Sequence, residues 1–254
     1  MKRLILTICL SVLFVNGTAS ADWMPSDPYK MHFPQLPDPC GWDVAFDSMT
    51  LQRPLADDWQ CTKTGPVSDI HLWLSWVGDK ISQITALHVA IYSDKPYDEY
   101  TNPFSTPDTI LWERLLSPDE MTYYGSGDQG FFNPHGGPPA AHDHDSFYQI
   151  NITDIQNPFI QQEDTIYWLG INVFWIPGGE TEIIQPGWKT SENHFNDGAV
   201  YLENGYWMQL VYPSNDPLYR TGNLDLAFVI TPEPATVALL GLGALSLLRR
   251  RRGV

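Results

Sequence analysis

A period of two governs the middle of this chain. Ile70, Leu72, Leu74 and Trp76 alternate with His71, Trp73 and Ser75, and Leu87, Val89 and Ile91 alternate with Ala86, His88, Ala90 and Tyr92. Successive side chains of a strand point to opposite faces, so each stretch reads as a β-strand, with Gly78-Asp79 as the turn of an antiparallel pair. Further strands are expected at 109–114, 147–152, 165–175, 199–202, 206–212 and 224–230, and no segment sustains a helical period. Roughly eight to ten strands joined by Gly, Pro, Asn and Asp turns define an all-β fold, expected here as a single jelly-roll-like β-sandwich over residues 55–230. Residues 22–54 contain Pro25, Pro28, Pro34, Pro37, Pro39 and Pro54, a density that disfavours helix and central strand alike. They are expected as an extended lead-in that meets the domain where Trp23, Phe33 and Trp42 find apolar surface.

Both ends of the chain differ from this middle. Lys2 and Arg3 precede an apolar run over 4–15, and Ala19-Ser20-Ala21 supplies small residues before Asp22, so residues 1–21 read as a Sec signal peptide. At the other end Pro232-Glu233-Pro234 leads into an apolar run over 235–248 that stops at Arg249, Arg250, Arg251 and Arg252. As a helix that run would be roughly 21 Å long at ~1.5 Å per residue, short of a ~30 Å hydrocarbon core, and snorkelling arginines would make up the deficit. Four arginines beside a short transmembrane helix place the C-terminus in the cytoplasm and everything ahead of Pro232 outside. The order of tripeptide, helix and basic end in residues 231–254 resembles the PEP-CTERM tail that bacterial exosortases recognise. The resemblance implies export, exosortase and the Sec machinery as partners, membrane attachment through the tail, cleavage near the tripeptide, and a destination in the cell envelope or at the extracellular surface. A permanent tail anchor is the alternative.

Setting aside Lys2, Arg3, the four terminal arginines and Glu233 leaves 8 basic against 29 acidic residues, a net charge of −21. Such a surface repels nucleic acid and anionic lipid, and suits solubility, divalent cations and neutral or basic polymers. With Cys9 in the signal peptide, Cys40 and Cys61 remain, and within one chain they pair only with each other. A disulfide between them, the expectation for an exported domain, would tether the lead-in; free thiols or an intermolecular link are the alternatives.

Residues 117–146 are rich in Gly, Pro, Asp and His and are expected as a long excursion from the sheet. Within it His142-Asp143-His144-Asp145 is the metal candidate, because alternate residues of an extended segment share a face: His142 with His144, or Asp143 with Asp145. A solvated loop is the competing reading, since no third ligand is identifiable. Asp57 and Asp58 are candidate carboxylates for a structural Ca²⁺, against a turn or strand-edge pair. No Gly-x-Ser-x-Gly elbow is present, neither mature cysteine has a Cys/His setting, and Gly125-Ser126-Gly127-Asp128-Gln129-Gly130 lacks the strand-loop-helix context of a phosphate loop. With aromatic residues at 13% of the chain, the neighbours Tyr167-Trp168, Phe174-Trp175 and Tyr206-Trp207 must face opposite ways if they lie on strands. Exposed rings hold sugars, and rings also fill cores.

A second resemblance covers most of the body. The stretches 55–61, 65–76, 125–130, 148–152, Ile166-Tyr167-Trp168-Leu169, Gly187-Trp188-Lys189-Thr190 and 224–230 are similar to a family of exported bacterial domains of unknown function, often attached to PEP-CTERM tails. It implies a β-sandwich and carries no catalytic residue. The expectation is therefore an exported, non-catalytic β-sandwich without a cofactor that binds or builds extracellular polysaccharide. The alternative is a secreted glycan-directed hydrolase using paired carboxylates, and a purely structural surface component is a third reading.

Overall fold

The computed structural model describes residues 22–47, 53–178 and 184–232. The expected signal peptide, the helix over 235–248, Glu233, Pro234 and the four terminal arginines lie outside the described residues. The strands are β1 (Trp42–Ala45), β2 (Leu55–Gln60), β3 (Gly65–Pro66), β4 (Asp69–Trp76), β5 (Ile84–Lys95), β6 (Thr106–Leu116), β7 (Glu120–Phe132), β8 (Ala140–Ile152), β9 (Ile160–Gln161), β10 (Ile166–Trp175), β11 (Pro186–Ser191), β12 (Val200–Glu203), β13 (Tyr206–Gln209), β14 (Asp225–Leu226) and β15 (Phe228–Thr231). Among the described residues the only helical turn is the 3-10 turn Val77–Asp79.

The fold is all-β, as the alternation predicts, and its two main sheets form a sandwich. One runs β14-β11-β1-β7-β8-β4-β15 and the other β13-β12-β2-β10-β5-β6, with β3 and β9 in a small ladder of their own. Val44, Leu72, Leu74, Ile150 and Trp188 from the first sheet meet Leu55, Trp59, Val89, Ile91, Leu169 and Ile171 from the second in one apolar core. In addition β11 pairs with β4, so β11, β1, β7, β8 and β4 close into a ring, in which β1 and β7 run parallel. A smaller apolar cluster of Ala56, Ala90, Tyr92, Trp168 and Val200 lies apart from the core, with Phe104 and Trp207 packed on it.

The expected β4–β5 hairpin does not form. β4 pairs with β8, β15 and β11, whereas β5 pairs with β10 and β6 in the opposite sheet. All eight residues of β4 are buried, so its alternation reports two covered faces rather than one wet and one dry. Trp73, on the face away from Leu72 and Leu74, is covered by Trp23 and Tyr124 at ring separations of 6.1 and 5.3 Å.

The 117–146 excursion is also not a loop: most of it forms the long β7–β8 hairpin. Its glycines suit close approach. A side chain at Gly127 would come within 2.0 Å of the Pro39 carbonyl oxygen, and one at Gly130 within 2.4 Å of the Trp42 ring.

The lead-in is extended, yet it is part of the domain rather than a preface ending at Pro54. Met31 bridges to Cys61, Gln35 to Phe228 and Pro37 to Ser191, after which β1 enters the large sheet between β11 and β7. Gln149 clamps Trp23 by accepting from its N–H at 3.0 Å and donating to its carbonyl at 2.9 Å. This course explains why the expected disulfide is absent. Cys61 is buried beside Met31, whereas the lead-in carries Cys40 on past the Gln35 and Pro37 bridges to an exposed position, and the two thiols are free. Cys40 ends exposed beside Arg220, whose Nη2 donates to its carbonyl at 3.0 Å.

Candidate functional site

A broad concavity of about 890 Å³ lies between the β5–β6 loop and the β12–β13 hairpin. Sequence chemistry shapes both walls. In the loop, Asp98 accepts from Tyr100 N, Thr101 N and the Thr101 hydroxyl, and the Asn102 amide donates to the carbonyls of Lys95 and Pro96 at 2.9 and 3.0 Å. Those bonds hold Phe104 over the smaller apolar cluster. The hairpin turns at Asn204-Gly205, both with positive φ (50° and 84°), as a two-residue turn between right-twisted strands requires. It presents Tyr206, 74% exposed, and Trp207, which is half-buried edge-on to Tyr92 at 5.8 Å. The lining thus combines Phe104, Tyr206, Trp207 and Met208 with Thr106, Gln209, Lys95 and Asp108, the last being its one acidic side chain.

Behind this groove lie carboxylates. Ser105 N donates to Asp197 at 3.0 Å, and the Asn196 amide donates to Asp58 at 2.6 Å and to the Ser105 hydroxyl at 3.3 Å. On the other side of β2, Asp57 accepts from the Gln35 amide at 2.7 Å and from Leu226 N at 2.6 Å. Asp225 Oδ2 bonds His194 Nδ1 at 2.7 Å and accepts from Phe195 N at 3.1 Å. Burial, and then the charge of Asp225, push the Asp57 carboxyl well above its ordinary range; burial, with Asp197 adding, pushes Asp225 up to about 8.

A residue profile for the domain of unknown function DUF7901 matches residues 31–231. The chain belongs to the DUF7901 family. A PEP-CTERM protein-sorting motif matches residues 231–252, and this motif makes the protein an exported, exosortase-sorted component of the cell envelope or surface. Neither the curated proteins nor the solved structures offer a match to the chain. The DUF7901 match starts at Met31 and takes in β1, in agreement with the lead-in's place in the sheet.

Within the DUF7901 domain the four metal candidates separate. His142 has a positive φ of 56°, is exposed, and bonds Asp128 through Nδ1 at 2.6 Å. That bend breaks the regular alternation that would have put His142 and His144 on one face. His144 is buried, with Nδ1 on Asp143 at 3.1 Å and Nε2 on Asp43 at 3.0 Å, so both its ring nitrogens are engaged. Asp143 Oδ2 also accepts from Gly78 N, and the N–H groups of Asp145 and Ser146 are held by Asp79. Among the described residues no group of three His, Cys, Asp or Glu side chains converges to hold a metal. Asp57 and Asp58 do not converge on one Ca²⁺ either, because as neighbours on β2 they face opposite sides.

Of the aromatic pairs, Tyr167 and Trp168 are both buried, one in each apolar cluster, and Trp175 is buried. Only Tyr206-Trp207 presents a freely exposed ring, as expected of one member of a pair. The reading from sequence missed Asn204-Gly205, whose signature was there to be found, and missed Phe104, whose role needs the fold.

The DUF7901 domain also contains a buried charged network. Val44 and Trp188 turn into the main core, so their neighbours Asp43 and Lys189 turn to the opposite face, directly across from each other in the β1–β11 ladder. Lys189 Nζ lies 3.3 Å from Asp43 Oδ2, the oxygen that also meets His144 Nε2. Burial opposes ionisation of Asp43, but Lys189 and His144 outweigh it and hold the carboxyl below its usual range. Burial likewise opposes the charge on His144, and Asp143 and Asp43 overcome it, raising the imidazole to about 9.

Proposed function

We propose that this exported DUF7901 protein is a non-catalytic polysaccharide-binding module of the cell surface, and that the groove between the β5–β6 loop and the β12–β13 hairpin is its binding surface. The observation that carries this reading is the lining: the exposed ring of Tyr206 beside Trp207, Phe104 and Met208, with amide and hydroxyl groups at the rim. Planar rings stack on the apolar faces of sugars while amides and hydroxyls bond their hydroxyl groups. A surface of net charge −21 favours neutral or basic chains over acidic ones. A glycoside hydrolase needs two carboxyls about 5–9.5 Å apart across its cleft, and Asp108 is alone in this one. In this reading residues 1–21 direct Sec export, and the tail helix over 235–248 holds the C-terminus cytoplasmic until exosortase acts. No metal or cofactor is required.

The test is binding of the exported protein to an array of extracellular polysaccharides, with Tyr206→Ala and Trp207→Ala alongside. Binding to a neutral or basic glycan that each variant weakens by about tenfold supports the groove. Uniform absence of binding, or release of reducing ends from any glycan, overturns the reading.

A further inference from the structure

We infer that Asp43 and Lys189 become joined by an intramolecular amide bond between Lys189 Nζ and Asp43 Cγ, a covalent staple that ties β1 to β11. The two side chains are 0% exposed, sit opposite each other in the ladder, and hold Nζ 3.3 Å from Oδ2. That contact places the amine against the carboxyl whose Cγ it would attack, and enclosure in the fold replaces the entropy that brings two such groups together in solution. His144 Nε2, 3.0 Å from the same oxygen, places a proton donor and acceptor on the reacting carboxyl. Its Nδ1 meets Asp143, whose side chain is 14% exposed, so the relay has a route to solvent. Phe147 under Lys189 at 5.4 Å and Phe131 beside His144 at 6.1 Å keep the surroundings apolar. Asp43 Oδ1 is buried, and the Ser75 hydroxyl is the polar side chain beside the carboxyl.

As an ion pair this arrangement is costly, because two charges are stripped of water. Condensation removes both charges. Proton transfer from the ammonium to the carboxylate gives a neutral amine and acid with no change in net charge. Nζ then adds to Cγ, the Cγ–Oδ2 bond breaks, and Oδ2 leaves as water with two of the three ammonium protons. The third proton stays on the amide nitrogen and Oδ1 becomes the amide carbonyl oxygen. His144 passes a proton to Oδ2 as it departs and regains one from the nitrogen. Nothing is oxidised or reduced and no co-reactant is needed. Burial holds the Lys189 ammonium below its ordinary range, which brings the amine form within reach. The bond gives a domain whose Cys40 and Cys61 are unbridged a covalent closure that external reductants do not open.

The experiment is mass spectrometry of the folded full chain after denaturation and trypsin digestion. The expected result is a branched species joining the peptide that carries Asp43 to the one that carries Lys189, about 18 Da lighter than their sum, with no cleavage after Lys189. Lys189→Met and Asp43→Ala should each abolish it, and His144→Gln should slow its formation at least tenfold in protein sampled soon after folding. Separate, unmodified peptides from the folded wild-type protein, with ordinary cleavage after Lys189, would overturn the inference.

Discussion

At the scale of single residues, buried carboxyls set the response to pH. The Asp225 carboxyl, raised by burial to about 8, keeps its proton in the folded chain at pH values where the unfolded chain, near ~3.9, has lost it. A carboxyl raised in this way favours folding in acid: its proton costs the fold nothing below pH ~4, and the penalty grows as pH climbs from ~4 through about 8. Asp57, raised by its burial and by Asp225, acts with the same sign. The melting temperature of the wild-type protein should therefore fall between pH 5 and pH 8. Asp225→Asn should flatten that slope and raise the melting temperature at pH 8 by about 2–4 °C, as scanning calorimetry would read. An unchanged slope in the variant would assign the pH dependence to other groups. In the groove, Tyr206 is held by no apolar cluster and Trp207 is packed on one, so Tyr206→Ala should leave the melting temperature within about 1 °C while Trp207→Ala lowers it by several degrees.

At the scale of elements, the β7–β8 hairpin shows why composition misleads. Gly, Asp and His at 125–130 and 142–145 carry the signature of a loop, but the lead-in and β1 press directly against this hairpin. A strand crossed so closely needs glycine whatever its intrinsic preference. Gly130→Ala puts a methyl into the Trp42 ring at 2.4 Å and should destabilise the protein by about 1–3 kcal/mol. Gly205→Ala in the β12–β13 turn meets no atom within 4 Å, and its cost, about 1 kcal/mol, comes from a φ of 84° alone. Urea denaturation of the two variants separates steric from conformational cost: equal effects would remove the close crossing from the account. The lead-in makes the same point in reverse. Proline excludes the ordinary ladder pattern, so the segment bonds through isolated bridges at Met31, Gln35 and Pro37 until Trp42, where the prolines end and a strand begins.

At the scale of the whole molecule, an acidic, tryptophan-rich sandwich is joined to a sorting motif that begins at the last residue of β15. The domain therefore ends where the motif starts, and export and folding are separable. Replacing Arg249, Arg250, Arg251 and Arg252 by Ser should redistribute the protein between membrane, surface and medium in cell fractionation while leaving its melting temperature unchanged. A variant that is sorted like the wild type would remove the basic end from the sorting signal. What could be read without coordinates were the properties that depend on local order along the chain: strand periodicity, hence an all-β class, and the sorting tail, whose signal is the sequence of its parts. What required the tertiary structure were the properties that depend on which strands meet. Alternation on β4 is compatible with one buried face or two, so it could not tell that β5 lies in the other sheet. Spacing in 142–145 could not tell that one positive φ sends His142 outward and leaves His144 buried between Asp43 and Asp143. Asp43 and Lys189 are far apart in the chain and unremarkable singly; only the antiparallel register of β1 on β11, a long-range packing outcome, sets their side chains against each other.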